Sequence, residues 1–174
     1  MGAEAEGLSP LEVTHFANRF YEAGSHALLA ADGLLGQIEG DLVMGLFVPG
    51  LAGKNSYRRK AVEGAVRLLE AVGYGQPDGN WLDVGIGIAT GEEFVGNVGG
   101  GGYKDFTALG DVTNTAARLS SSAAAGEVLV DNESYEAVAE AHPNAERRSL
   151  ELKGKSARTE AFAIRPFDAP AKPD

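Results

Sequence analysis

The pattern in residues 82–91 most constrains the fold, because large aliphatic side chains alternate there with glycine or with small or polar residues. This period of two is typical of a β-strand. The aliphatic positions are Leu82, Val84, Ile86 and Ile88. The glycines, Gly85, Gly87 and Gly91, lie within or just after this strand and not between a strand and a helix, so they indicate close packing and not a dinucleotide-binding fingerprint. The glycine-rich stretch 96–102 also lacks the Gly-Lys-Ser/Thr continuation of a Walker phosphate loop.

Helical and strand patterns interleave along the rest of the chain. Ser9, Pro10 and Glu12 supply the N-cap, the first-turn proline and the capping-box partner of a first helix. The predicted helices cover residues 9–31, 57–72, 110–118 and 132–142. The predicted strands cover residues 34–38, 42–47, 82–88, 103–109, 126–130, 147–152 and 159–165. Because several hairpins replace strict βαβ alternation, we predict an α+β fold, with a ferredoxin-like sheet and helices on one side.

Composition narrows the class of protein. The 174 residues correspond to one domain, and their formal net charge of −10 disfavours nucleic acid as a partner. The chain has no cysteine, which excludes disulfides and thiolate sites. No apolar run reaches the roughly 18 residues of a membrane span, and the acidic start lacks the features of a signal peptide. We therefore expect a cytoplasmic protein that does not insert into a membrane.

A few polar residues are candidates for chemistry, and each also has a purely structural interpretation. Asp41 lies at a hairpin tip, where a rigid carboxylate binds a cation or simply satisfies the turn. Asn114 and Arg118 project from one helix face, where they orient a ribose and grip a phosphate, or form a solvated surface. Lys155, at another hairpin tip, is a phosphate ligand or a surface residue. The histidines have no metal-ligand spacing and are interpreted as structural or solvated: they are His15, His26 and His142.

Taken together, these segments resemble the class III adenylyl and guanylyl cyclases. The run GIGIATGEEFVGNVGGGGYKDFTALGDVTNTAARL resembles the family's signature of strand, Gly-Asn-Val-Gly hairpin, Gly-Asp turn and helix. LSPLEVTHFANRFYEA and GQIEGDLVMGLF resemble its first helix and metal-binding hairpin, and GEVLVDNESYEAV and LELKGKSARTEAFAI resemble its closing elements. The resemblance spans residues 8–165, between an acidic stub at 1–7 and a proline-rich tail at 166–174.

The resemblance implies a ferredoxin-like core that pairs head to tail, as a homodimer or with another cyclase domain. It also implies conversion of a purine nucleoside triphosphate to its 3′,5′-cyclic monophosphate and pyrophosphate, in cyclic-nucleotide signalling. Two divalent ions, Mg²⁺ or Mn²⁺, support this in-line displacement in the family. By resemblance, Asp41 is the second metal-binding aspartate, Asn114 orients the ribose, and Arg118 stabilises charge on the α-phosphate.

The substrate positions include departures from the family pattern. By resemblance, Thr107 reads the purine and Lys155 holds the terminal phosphates. Gln37 stands where adenylyl cyclases usually have a purine-selecting lysine, which leaves ATP and GTP open. Glu39 occupies a position that is usually apolar, and it is either a stray charge or a substitute metal ligand.

The segment in front of the first helix is the largest departure. The family places a Phe-x-Asp-Ile-like strand with the first metal aspartate there, whereas this chain has MGAEAEG. Without that strand we expect two unpaired strand edges, left by truncation, filled by a partner or removed by rearrangement. The alternative function is an inactive cyclase-like module for nucleotide binding or dimerisation. A diguanylate cyclase is disfavoured, because the Gly-Gly-Asp/Glu-Glu-Phe motif is absent.

Overall fold

Helices and strands interleave in a computed structural model that describes residues 7, 9–102, 105–151 and 158–167. The helices are α1 (Pro10–Ala30), α2 (Pro49–Ala52), α3 (Tyr57–Ala71), α4 (Asp111–Ser122) and α5 (Asn132–Glu136). The strands are β1 (Leu34–Glu39), β2 (Leu42–Leu46), β3 (Ile86–Ile88), β4 (Phe94–Val98), β5 (Asp105–Leu109), β6 (Val128–Asp131), β7 (Glu146–Leu150) and β8 (Thr159–Ile164). This order and the mixture of parallel and antiparallel pairing confirm the predicted α+β class.

Helix α1 begins where the sequence predicted it. The Ser9 side chain accepts from the Glu12 backbone N–H, and the Glu12 carboxylate accepts from the Ser9 backbone N–H at 2.8 Å, which completes the capping box. Close packing explains the glycine at position 24 in the middle of α1, because a Cβ there would lie 3.1 Å from a methyl group of Val43 on β2. The glycine therefore lets the β1–β2 hairpin approach α1 closely.

The strands form three separate ladders. β1 pairs with β2 and β4 pairs with β5, both antiparallel, while the third sheet has the order β3-β6-β8-β7 with β3 parallel to β6. Within the described residues, β2 and β3 are therefore end strands of different sheets, and each has one edge without a strand partner. Val43 of β2 and Ile86 and Ile88 of β3 nevertheless pack against the same apolar core. Because β1, β4, β5 and β7 are also end strands of their sheets in the described residues, the expectation of two unpaired edges stays a prediction.

The main core forms between α1, α3 and the four-stranded sheet. Its fully buried members include Leu69 and Val72 at the end of α3 and Val128 and Val130 on β6. A smaller cluster joins α4 to the other face of that sheet through Leu119, Leu129, Ala161 and Ala163, so the prediction that the helices lie on one side of the sheet is wrong. None of the helices in the described ranges has the length and apolar character that crossing a membrane requires.

Several predicted boundaries are wrong. The strand predicted at 82–88 is shorter, because its regular pairing with β6 begins at Ile86, and before it only the Val84 carbonyl accepts a hydrogen bond from that side, from the Gly126 N–H at 2.9 Å, within the described residues. The glycine-rich stretch 96–102 begins inside β4, and residues 49–56, for which the sequence predicted neither helix nor strand, contain α2. The helix predicted to reach residue 142 ends at Glu136, after which turns follow and the Tyr135 hydroxyl donates to the His142 carbonyl at 3.1 Å.

A cluster of ion pairs around a buried glutamate connects three strands of the four-stranded sheet. The Glu127 side chain is 1% exposed, and its two carboxylate oxygens lie 2.9 Å from Arg148 and 2.9 Å from Arg165. Glu146 pairs with both arginines, and their hydrogen bonds lower the pKa of Glu146 to about 2. The cluster therefore connects the N-terminal end of β6 to β7 and the end of β8.

Candidate active site

The β1–β2 hairpin presents two carboxylates at its tip. Glu39 ends β1 opposite Leu42, and Asp41 lies in the tight turn after Gly40, with both side chains exposed. Gly40 has φ +58°, a backbone conformation that glycine adopts without strain. Tyr21 of α1 fixes this tip, because its hydroxyl donates to the Gly40 carbonyl at 2.5 Å. The hairpin thus holds Asp41 in a defined position relative to α1.

Gln37 lies at an irregularity in the same hairpin. Leu35 pairs with Gly45 and Ile38 pairs with Val43, so two residues of β1 oppose Met44 alone. Such a bulge bends the strand and changes the direction of the side chains beside it. Gln37 is half-buried at this point, which the alternating pattern of the sequence did not reveal.

Thr107 lies in the middle of β5, on a strand that lies beside β1. Its side chain is buried, and among the described residues its hydroxyl has only a long 3.4 Å hydrogen bond, to the carbonyl of Ala108. The structure therefore brings the strands of Gln37 and Thr107 together. The Thr107 hydroxyl retains hydrogen-bonding capacity, since a bond of 3.4 Å to a neighbouring carbonyl is weak.

Helix α4 presents Asn114 and Arg118 on one face, as the four-residue spacing predicted. Asn114 is exposed and Arg118 is half-buried. The helix contacts β3 through Ala116 and Ser120, whose backbone atoms lie against Gly87. At 3.6 residues per turn, Asn114 and Arg118 lie about half a turn away from that contact. The two side chains therefore face away from β3.

Glycines of β3 make this close helix packing possible. A Cβ at Gly87 would lie 2.2 Å from the Ala116 carbonyl oxygen and 2.2 Å from the Ser120 nitrogen, both backbone atoms. A Cβ at Gly85 would lie 2.7 Å from the Ala123 carbonyl oxygen. The glycines of the alternating strand thus serve close packing, as predicted, and the packed element is the helix that carries Asn114 and Arg118.

The described residues do not assemble a complete metal site. Within them, no group of three or more histidine, cysteine, aspartate or glutamate side chains has the geometry to hold an ion. Asp41 and Glu39 therefore belong to no such group within the part of the chain that the structure describes. His15 and His26 are exposed on α1, while partial burial lowers the pKa of His142. Lys155 lies outside the described residues.

Sequence reasoning missed two residues that support the site. Tyr21 was assigned no role, and its contact with Gly40 depends on tertiary packing. Glu93 was assigned no role either, yet its carboxylate accepts from the backbone N–H of Thr113 at 3.0 Å. The only available signal was Gly110 at the start of α4, since a glycine N-cap has no side chain to accept from the helix N–H groups.

Known proteins resemble the chain in sequence and in fold. The family described as Adenylate and Guanylate cyclase catalytic domain matches residues 9–165. No curated protein matches significantly in sequence. The solved guanylyl cyclase Cya2 superposes with a TM-score of 0.83 at 23% identity, over 98% of this chain and 89% of that chain.

Two further solved structures share the fold. The adenylyl cyclase CyaB from P. aeruginosa has a TM-score of 0.77 at 26% identity, over 98% of this chain and 89% of that chain. The guanylate cyclase domain of RhGC from Catenaria anguillulae, solved in complex with GTP, has a TM-score of 0.79 at 18% identity, over 93% of this chain and 88% of that chain. The predicted arrangement of elements is therefore that of cyclase catalytic domains.

Proposed function

Because the chain belongs to the adenylate and guanylate cyclase catalytic domain family, we propose that it converts ATP or GTP into the 3′,5′-cyclic monophosphate and pyrophosphate. One observation carries the proposal: α4 presents Asn114 and Arg118 on a face turned away from its packing contact with β3. In the reaction, the ribose 3′-oxygen loses its proton and bonds to the α-phosphorus. The bond from the α-phosphorus to the bridging oxygen breaks, and pyrophosphate leaves with the electron pair.

Arg118 is assigned to the α-phosphate. Its guanidinium keeps its charge and offers several N–H donors in a fixed plane, which match phosphate oxygens. Half-burial reduces competition from water, so the charge acts more strongly on the negative charge that builds up as the phosphorus is attacked. Asn114, one turn earlier, donates and accepts hydrogen bonds and is assigned to the ribose.

The base is assigned to the β1–β5 side of the site. Gln37 and Thr107 lie on neighbouring strands, and both side chains donate and accept hydrogen bonds. Each purine edge presents both donors and acceptors, so this pair is compatible with adenine and with guanine. The terminal phosphates are assigned to Lys155 on the family resemblance alone.

Metal chemistry is the incomplete part of the proposal. The family uses divalent ions, and Asp41 is the residue assigned to hold one of them. The described residues supply no complete cluster around that carboxylate, so they do not by themselves fit the two-ion site. We therefore assign no reaction step to a metal in this chain.

A second copy of the chain, or another cyclase domain, is the proposed partner. Of the ten exposed large hydrophobic side chains in the described residues, seven lie on the β1–β2 and β4–β5 hairpins. These seven are Leu35, Ile38, Leu42, Phe94, Val95, Phe106 and Leu109. Such clustering is typical of protein interfaces. The same hairpins carry Gln37, Asp41 and Thr107, so a partner seated on them would meet the candidate site.

Cyclic nucleotide production from ATP and GTP with Mn²⁺ or Mg²⁺ tests the activity. We expect the parent chain to turn over at least one nucleotide, and Arg118→Ala to lower kcat about 10²–10³-fold, as for other groups that stabilise transition-state charge. Arg67→Ala is the matched control, because Arg67 makes only a surface pair with Glu63 on α3. Equal activity of both variants would contradict the assignment of Arg118.

The second candidate function is a non-catalytic nucleotide-binding or dimerisation module. The lack of a three-ligand cluster in the described ranges favours it. In that case nucleotide would bind without turnover, and turnover would remain absent after an upstream strand with an aspartate is joined to the chain. Isothermal titration with a non-hydrolysable GTP or ATP analogue, together with the sedimentation coefficient, separates this function from catalysis.

A further inference from the structure

Helix α4 begins without a capping side chain of its own. Its N-cap is Gly110, whose φ of +153° is a backbone conformation that residues with a side chain rarely adopt, and a glycine has no side-chain acceptor. The backbone bond that closes the first turn, from the Asn114 N–H to the Gly110 carbonyl, is long at 3.4 Å. A helix start of this kind leaves N–H groups that need another acceptor, and it frays if none is supplied.

Glu93 supplies that acceptor from 20 residues earlier in the chain. Both of its carboxylate oxygens lie within hydrogen-bonding distance of the Thr113 backbone N–H, at 3.0 and 3.1 Å. The Thr113 hydroxyl also donates to the carboxylate, at 2.6 Å. Thr113 is the third residue of α4, and its N–H is one of those that an N-cap side chain normally satisfies.

Gly110 makes room for this carboxylate. A Cβ at position 110 would lie 2.6 Å from a carboxylate oxygen of Glu93 and 3.0 Å from its Cγ. The glycine that deprives the helix of its own cap therefore opens the space that Glu93 fills. A carboxylate in this place is also favoured by the partial positive charge at a helix N-terminus.

The position of Glu93 joins two parts of the candidate site. It immediately precedes β4, whose first residue, Phe94, pairs with Leu109 at the end of β5. Glu93 thus lies across from Gly110, at the point where the β4–β5 hairpin that carries Thr107 meets α4. We propose that Glu93 is a positioning residue, which fixes the first turn of α4 against this hairpin and thereby places Asn114 and Arg118.

This inference rests on the proposed function for its catalytic consequence. An ordinary cap stabilises the whole fold and alters activity only through the amount of folded protein. A positioning residue alters kcat in fully folded protein, because Asn114 is the residue next to Thr113 and Arg118 follows one turn later. Substrate binding that depends on the base and the terminal phosphates is affected less, so KM should change little.

Three variants and one stability control separate these roles. Glu93→Ala removes the acceptor, whereas Glu93→Gln keeps a carbonyl oxygen for the Thr113 N–H and an amide that can donate to the Thr113 hydroxyl. Glu92→Ala removes the same charge from the exposed neighbouring residue. Ser9→Ala removes the cap of α1, so it lowers stability through a comparable loss at a distant helix.

We expect Glu93→Ala to lower kcat about tenfold, the factor that corresponds to one lost helix cap, with KM within about twofold of the parent. The kcat of Glu93→Gln should stay within about threefold of the parental value. The kcat values of Glu92→Ala and Ser9→Ala should equal the parental value. Every variant is measured below its own melting temperature. A kcat for Glu93→Ala equal to that of Ser9→Ala would overturn the positioning role.

Amide hydrogen exchange tests the structural step without turnover. Exchange at Thr113 and Asn114 should be about tenfold faster in Glu93→Ala than in Glu93→Gln, since the fraying of one turn has the same free energy as the lost cap. Unchanged exchange at these two amides would overturn the inference. If the parent chain has no cyclase activity, the proposed function is refuted but the structural inference is not. The exchange measurement still tests whether Glu93 fixes the first turn of α4.

Discussion

Substitution of Gly87 by alanine tests how α4 is placed. The added Cβ would lie 2.2 Å from the Ala116 carbonyl oxygen and 2.2 Å from the Ser120 nitrogen, whereas ordinary van der Waals contact begins at 3.4 Å. Neither neighbour can rotate away, because both are backbone atoms in the middle of a helix. The clash is relieved only if α4 recedes from β3 by about 1 Å, the difference between these distances.

The magnitude follows from this displacement. Overpacking of a well-packed core typically costs about 1–3 kcal/mol, and a clash with two backbone atoms belongs at the upper end. For a domain of this size, about 3 kcal/mol corresponds to a fall in Tm of about 6–12 °C. A misplacement of about 1 Å typically costs about 10²-fold in rate, so turnover should fall by that factor in protein that is still folded.

Thermal unfolding by circular dichroism and cyclic nucleotide production measure the two effects. Gly50→Ala is the matched control, since a Cβ at Gly50 meets nothing within 4 Å and its φ is outside the left-handed region. This control should keep the parental Tm or raise it slightly. If Gly87→Ala unfolds within about 2 °C of the parent, the close contact between β3 and α4 is not as described, and the reasoning from it fails.

Two further predictions concern the dimer and the acid range. Because each site would combine Asp41 of one subunit with Arg118 of the other, mixed Asp41→Ala and Arg118→Ala chains should regain about a quarter of parental turnover, as half of random dimers then hold one intact site of two. Loss of activity in the mixture, with an active parent, would contradict shared sites. The folded-state pKa of Glu146, about 2, lies below its ordinary value of 4.5, so its stabilisation is complete above pH 4.5 and is lost as the pH falls toward 2. Glu146→Gln should therefore flatten the dependence of Tm on pH across that interval, and an unchanged slope would contradict this.

The sequence predicts the local elements well wherever local rules decide them. The capping box of Ser9 and Glu12 starts α1 as predicted, and the turn at Gly40 joins two strands at nearly the predicted bounds. The four-residue spacing of Asn114 and Arg118 correctly places both on one face of α4. In each of these cases the determining residues are within four positions of one another, so the pattern is visible in a single chain.

The remaining features depend on contacts between distant segments. The strand predicted from Leu82 has regular ladder pairing only from Ile86, although the Gly126 N–H still donates to the Val84 carbonyl at 2.9 Å. The hydrogen bond of Tyr21 to Gly40 and the capping of α4 by Glu93 join residues about 20 positions apart. The roles of all the candidate site residues remain predictions, since only turnover and binding measurements test them: these residues are Gln37, Asp41, Thr107, Asn114, Arg118 and Lys155.

Two contacts hold α4 from different sides, and together they determine where the face that carries Asn114 and Arg118 lies. The contact of Gly87 with Ala116 and Ser120 sets the distance of the helix from β3 and its rotation about its own axis. The carboxylate of Glu93 fixes the first turn, and therefore the position of the helix along that axis relative to the β4–β5 hairpin. Neither contact involves the face that carries Asn114 and Arg118. Activity should therefore be sensitive to substitutions at both positions although neither side chain is assigned to the substrate.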